Sequence, residues 1–103
     1  MQIVFHAHHA KVSDRLVRHT ERSLSKLAKR FSRPVQAVVR FEEDGRLHRV
    51  EIVFHRARGR SLVAEGSGRY FGPALAAALA HLEVQVNRIR RNGKERGRPL
   101  ARD

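Results

Sequence analysis

Three groups of side chains in this 103-residue sequence have types and spacings that could do chemistry. His6, His8 and His9 form the tightest cluster among seven histidines, and His6 with His8 would share one face of an extended strand. Two imidazoles make a poor metal site without a third ligand, and spacing fixes no third. They read as surface histidines. Glu42, Glu43 and Asp44 bring three acids together before Gly45. Paired carboxylates do acid–base work when their surroundings push their proton affinities apart, which an exposed hairpin tip does not do. Ser61 and Ser67 have no positioned His or acid in a recognisable motif, and the sequence has no cysteine and no Walker or dinucleotide loop. Nothing here supports an enzyme, a bound metal, a cofactor or a small-molecule substrate.

The third group is cationic. Lys and Arg outnumber Asp and Glu by 22 to 10, a formal charge of +12. An excess of that size points to a polyanionic partner. The stretch "RLVRHTERSLSKLAKRFSR" (15–33) holds seven of those cations and a single acid, Glu21. At roughly 100° per residue, Arg15, Arg18, Arg22, Lys26, Lys29 and Arg33 fall within an arc of about 80°. Leu16, Thr20, Leu24, Leu27 and Phe31 lie opposite. A merely solvated face usually mixes signs, because unlike pairs at i, i+4 stabilise a helix by a few tenths of a kcal/mol. Here Arg18–Arg22, Arg22–Lys26 and Lys29–Arg33 are all like-charged, which selection for stability would not build. The stripe therefore reads as a phosphate-binding surface.

The elements that must carry it follow from period and punctuation. "QIVFHAH" (2–8) alternates as a half-buried strand. Ser13 offers a helix N-cap, Asp14 complements the dipole, and Pro34 closes the helix. "VQAVVRF" (35–41) and "RVEIVFH" (49–55) read as strands around an Asp44-Gly45 hairpin, and "SLVAEGS" (61–67) as a third. Pro73 suits the first turn of a second helix, whose apolar stripe is Leu75, Leu79, Leu82, Val86 and Ile89 and which ends near Asn92-Gly93. His81, Gln85, Arg88 and Arg91 lie off that stripe and extend the cationic surface. The order β-α-β-β-β-α predicts an α+β sandwich: a four-stranded sheet with both helices on one face, the two basic ridges side by side. One domain spans 1–92, followed by a charged, aperiodic and disordered tail at 93–103.

The N-terminus lacks the pattern of a signal peptide, and the longest apolar window, "PALAAALAHL", is too short to span a bilayer. A membrane-surface helix would border its basic face with apolar residues, whereas this one buries them. A cytoplasmic, nucleic-acid-binding domain is expected. Phe5, Phe41 and Phe54 all sit on the inward parity of their strands, so the sheet presents no base-stacking platform. That leaves recognition of folded RNA through shape and backbone.

At this point the chain resembles the ribosome hibernation-promoting factors and ribosome-associated inhibitors, also called ribosomal subunit interface proteins. Their element order is the same, and the matches span roughly residues 1 to 92. "SKLAKRF" (25–31) resembles the family's K-L-x-K/R-x-F/Y segment through Lys26, Leu27, Lys29 and Phe31. "VEI" (50–52) and "LVAEG" (62–66) resemble its third and fourth strands. "LEVQVNR" (82–88) resembles its L-E-x-Q-L/V-x-R/K helix through Leu82, Glu83, Gln85, Val86 and Arg88. Ala76 and Ala80 stand where members commonly carry acids. The resemblance implies a non-enzymatic protein that occupies the tRNA and mRNA channel of the small ribosomal subunit, with basic helix residues on ribosomal RNA, inhibiting translation and protecting idle ribosomes. Carried over by position, it makes Lys26, Lys29 and Arg88 RNA contacts. Arg15, Arg18, Arg22, Arg33, His81, Gln85 and Arg91 rest on the stripe. The chain resembles the short members, without the long members' C-terminal dimerisation domain, and is expected to be monomeric when free. The competing readings are a general double-stranded RNA- or DNA-binding chaperone module and a domain that docks an acidic protein.

Overall fold

β1 (Gln2–His8), α1 (Asp14–Ala28), β2 (Gln36–Asp44), β3 (Leu47–His55), β4 (Leu62–Gly68) and α2 (Phe71–Arg96) follow in the order the sequence predicts. The computed structural model describes residues 1–31 and 35–96. The sheet runs β1-β2-β3-β4, with β1 parallel to β2 and the other neighbours antiparallel. Two consecutive parallel strands need a crossover, and α1 supplies it. β2 and β3 are longer than expected: Glu42 pairs with Arg49, Glu43 with His48 and Asp44 with Leu47. Strand alternation simply continues through the acids, and the turn shrinks to Gly45 and Arg46. Gly45 takes a φ of 62°, which glycine adopts without strain.

Alternate residues of the sheet point into one core. Ala37, Val39, Phe41, Val50, Ile52, Phe54, Leu62 and Ala64 are buried against Leu24 and Leu27 of α1 and Leu75, Ala78, Leu82 and Val86 of α2. Both helices therefore cover the same face, as an α+β sandwich requires. Thr20, the one buried polar side chain among the described residues, donates its hydroxyl to the Leu16 carbonyl at 2.8 Å. α2 lies close on β4 because Gly66 has no side chain. A Cβ there would run into the Ala74 carbonyl and the Ala78 amide.

The helix ends refine the sequence reading. Ser13 Oγ accepts the Leu16 amide at 3.1 Å, as a cap should. α1 ends at Ala28, sooner than Pro34 suggested. Arg30 and Phe31 donate backbone N–H groups to Leu27 and Ala28 at 3.1 and 3.0 Å, and these i→i−3 bonds tighten the last turn. Phe31 then packs on Phe54, ring centroids 5.7 Å apart. α2 runs through Asn92-Gly93 to Arg96. A mid-helix glycine costs about 1 kcal/mol, and the good helix formers Lys94, Glu95 and Arg96 follow it. Arg33, Pro34 and the rest of the expected tail (97–103) lie outside the described residues.

Candidate nucleic-acid interface

α1 builds the first part of the surface. Thr20, Leu24 and Leu27 anchor one side of the helix in the core. Helical geometry then turns Arg15, Arg18, Arg22 and Lys26 to solvent, and all four are exposed. Lys29 is the C-cap residue, still right-handed helical at φ −65° and ψ −14°, so it continues the row and is exposed as well. None of these five makes an ion pair with another described residue; the pairs found are Arg30–Glu83, His48–Glu43 and Arg49–Glu65. Five exposed, unneutralised cations in a row form a rail at the spacing of helix turns, suited to a run of phosphates.

Arg30 belongs to the same charge run but does something else. Its Nη1 donates to Asn87 Oδ1 at 2.6 Å and its Nη2 to Glu83 Oε2 at 3.3 Å. This clamp ties the end of α1 to α2 and turns the Glu83–Asn87 flank of α2 toward α1.

The opposite flank of α2 holds His81 and Gln85. His81 Nδ1 lies 2.7 Å from the Glu65 carbonyl, and Gln85 Nε2 donates to the Val63 carbonyl at 2.9 Å. β4 is an edge strand, so these side chains satisfy outward carbonyls that would otherwise face only water. The expected side-by-side ridges are thus corrected. Residues 81, 85 and 88 share one side of α2, and the clamped Glu83–Asn87 flank, about 100–160° around the helix, lies between them and α1. Arg88 and Arg91 are both exposed, Arg91 on the solvent side of the helix.

The uncovered face of the sheet is different in character. His6, His8, Arg40, Glu42, Arg49, Glu51 and Glu65 surround a concavity of about 430 Å³. Its charges compensate across the strands: Arg40 opposes Glu51, Glu42 opposes Arg49, and Arg49 reaches Glu65 at 3.6 Å. No group of three potential metal ligands gathers among the described residues, and His6 and His8 stay on this face. The excess positive charge therefore belongs to the helical layer and the loops. No described helix is long and apolar enough to cross a membrane.

Over residues 3–94 the sequence matches the family model described as Sigma 54 modulation protein / S30EA ribosomal protein. The chain belongs to this family. The resemblance to hibernation factors seen in "SKLAKRF" and "LEVQVNR" identified the same group. Two solved structures share the S30EA chain's fold. The crystal structure of the Thermus thermophilus Protein Y N-terminal domain is 23% identical, with a TM-score of 0.77, and the match covers 86% of this chain and 99% of that one. A ribosomal subunit interface protein from Coxiella burnetii is 16% identical, with a TM-score of 0.73, covering 86% of this chain and 97% of that one. At such identities the likeness is one of fold. No curated protein matches the sequence significantly.

One feature of the surface was not legible from strand parity. The exposed aromatic of this S30EA domain is Tyr70, in the β4–α2 connection, 69% exposed. A parity argument tests only residues inside strands; the Gly-rich segment "GSGRYFGP" was the signal available.

Proposed function

We propose that this S30EA-family protein is a ribosome-associated hibernation factor. It binds small-subunit ribosomal RNA in the tRNA and mRNA channel, blocks translation and protects idle ribosomes. The single observation that carries the RNA contact is the exposed rail of Arg15, Arg18, Arg22, Lys26 and Lys29, unneutralised by any described acid. Family membership supports the ribosome as the partner, and the resemblance of the two helix motifs supports the channel. Arg88 and Arg91 extend the contact from α2, and Arg33, outside the described residues, stays a candidate contact on sequence grounds. His81 and Gln85 hold β4 and meet RNA through their remaining polar atoms. Such a role is electrostatic and steric, so it needs no catalysis, metal or cofactor; it belongs in the cytoplasm, with the protein monomeric when off the ribosome. A general double-stranded RNA- or DNA-binding module is the alternative that the same rail would serve.

Salt separates the two. With about five phosphates neutralised, non-specific affinity falls several-hundredfold over a fourfold rise in salt. Lysate sedimented through sucrose gradients at low and moderate salt should keep the protein with small subunits or monosomes at both. Purified protein should also inhibit a cell-free translation reaction, and Lys26→Glu with Lys29→Glu should lose both properties. Loss of the protein to the top of the gradient at moderate salt, with free RNA still bound at low salt, would establish the general module instead.

A further inference from the structure

At the end of the sandwich where β2 turns into β3 and β4 leads into α2, four side chains from three segments line a cleft of about 330 Å³: Arg46, His48, Arg69 and Tyr70. Arg46 comes from the two-residue turn and His48 from β3. Arg69 and Tyr70 come from the connection to α2. The backbone of Tyr70 is anchored, its carbonyl accepting the Ala74 amide at 3.2 Å, while its side chain is 69% exposed. The His48 ring forms the inner wall, with centroids 6.4 Å from Tyr70 and 4.7 Å, edge-on, from Phe71. His48 Nε2 lies 3.4 Å from Glu43 Oε1. Its Nδ1 is buried and has no hydrogen-bond partner among the described residues. Neither Arg46 nor Arg69 pairs with a described acid, and the first turn of α2 carries none. The helix therefore adds its own positive end to the cleft.

An exposed aromatic ring sharing a cleft with two unpaired guanidiniums is complementary to a group that is flat on one side and anionic on the other. A nucleotide is such a group: bases stack on aromatic side chains whatever their identity, and arginines take the phosphates. A base inside a duplex has no free face to offer. We propose that this cleft binds one unpaired RNA nucleotide, its base on Tyr70 and its flanking phosphates on Arg46 and Arg69. The inference rests on the RNA-binding reading and adds a second mode to it. α1 also starts at this end, since β1 is parallel to β2 and both finish there. The rail beginning at Arg15 and the cleft can thus be met by one RNA, folded along the helix and unpaired at the cleft.

The chain has one tyrosine and no tryptophan, so tyrosine emission reports on Tyr70 alone. The probes are a fluorescein-labelled single-stranded RNA hexamer, followed by anisotropy, the same hexamer unlabelled, followed by tyrosine emission, and a blunt RNA duplex. The hexamer should quench Tyr70 saturably, and the duplex should bind without quenching. Tyr70→Ala should weaken the hexamer about tenfold or more and the duplex less than twofold, while Tyr70→Phe retains the hexamer. Arg46→Ala with Arg69→Ala should follow Tyr70→Ala. Circular dichroism checks that each variant is folded, which exposure of the three side chains favours. A duplex that binds while the hexamer neither quenches Tyr70 nor responds to Tyr70→Ala overturns the cleft and leaves the rail standing. Failure of the wild type to bind either RNA overturns the cleft together with the RNA-binding reading.

Discussion

Reversing the charge of Arg22 should make the protein more stable and less able to bind RNA. Arg22 lies mid-ridge, exposed, one turn from Arg18 on one side and from Lys26 on the other. Each like-charged i, i+4 pair costs about 0.2–0.5 kcal/mol, and an unlike pair in the same place contributes a similar amount with opposite sign. Arg22→Glu converts both pairs at once. The ideal swing is about 0.8–2 kcal/mol, and solvent exposure of long side chains argues for the lower half, about 1 kcal/mol. Arg and Glu have nearly equal helix propensity, so the backbone contributes little to the difference. For a domain of this size the melting temperature should rise by about 4–8 °C in low salt. The gain should vanish in about 1 M salt, where the screening length is about 3 Å. Thermal melts by circular dichroism at both salts measure the first effect, and RNA titration measures the second. A variant that melts at or below the wild-type temperature in low salt would refute the reasoning, because the rail would then be contributing to the fold.

Further substitutions probe the parts that hold the rail in place. Gly66→Ala should cost about 3 kcal/mol or more, or prevent folding, because the new methyl meets main-chain atoms of α2 rather than a side chain that can swing away; denaturant unfolding reads this. Arg30→Ala should lose about 0.5–1 kcal/mol through the broken contacts to Glu83 and Asn87 while leaving RNA affinity within about twofold, the opposite signature to Arg22→Glu. Replacing any one of Arg18, Arg22 or Lys26 by Gln should lower the slope of log affinity against log salt by about 1, measured by titration across salt concentrations. His81→Ala with Gln85→Ala bares the β4 edge, and the variant should self-associate at concentrations where the parent sediments as a single species.

Period and punctuation carried most of the fold, because each element had a local cause. Inward positions such as Val39, Ile52 and Leu24 are those that alternation or helical spacing selects, and Ser13 caps where its side chain can reach Leu16. The errors occurred where tertiary contacts outweigh local signals. Glu42–Asp44 look like a loop by composition, yet cross-strand pairing with Leu47–Arg49 draws them into β2. Lys29 to Phe31 look like helix, yet Phe31 is drawn onto Phe54 and Arg30 onto α2. Residue type cannot say which flank of α2 faces α1, so the relation of His81 and Gln85 to the α1 row was not legible; it depends on the Arg30 clamp and on close approach over Gly66.

That clamp also explains why the charge run in α1 is not uniform in role. An RNA-binding rail needs its cations unpaired, whereas a cation beside the neighbouring helix can be neutralised across the seam and tie the two helices together. Arg30, about 80° from the centre of the ridge, is placed to reach Glu83 and Asn87, leaving the rail untouched. On the far side of the sheet, Arg40 and Arg49 are balanced by Glu42, Glu51 and Glu65. Neutralisation there and exposure on α1 give the molecule a direction: a polyanion is steered away from the open sheet face and toward the helices and loops, where the field remains uncompensated.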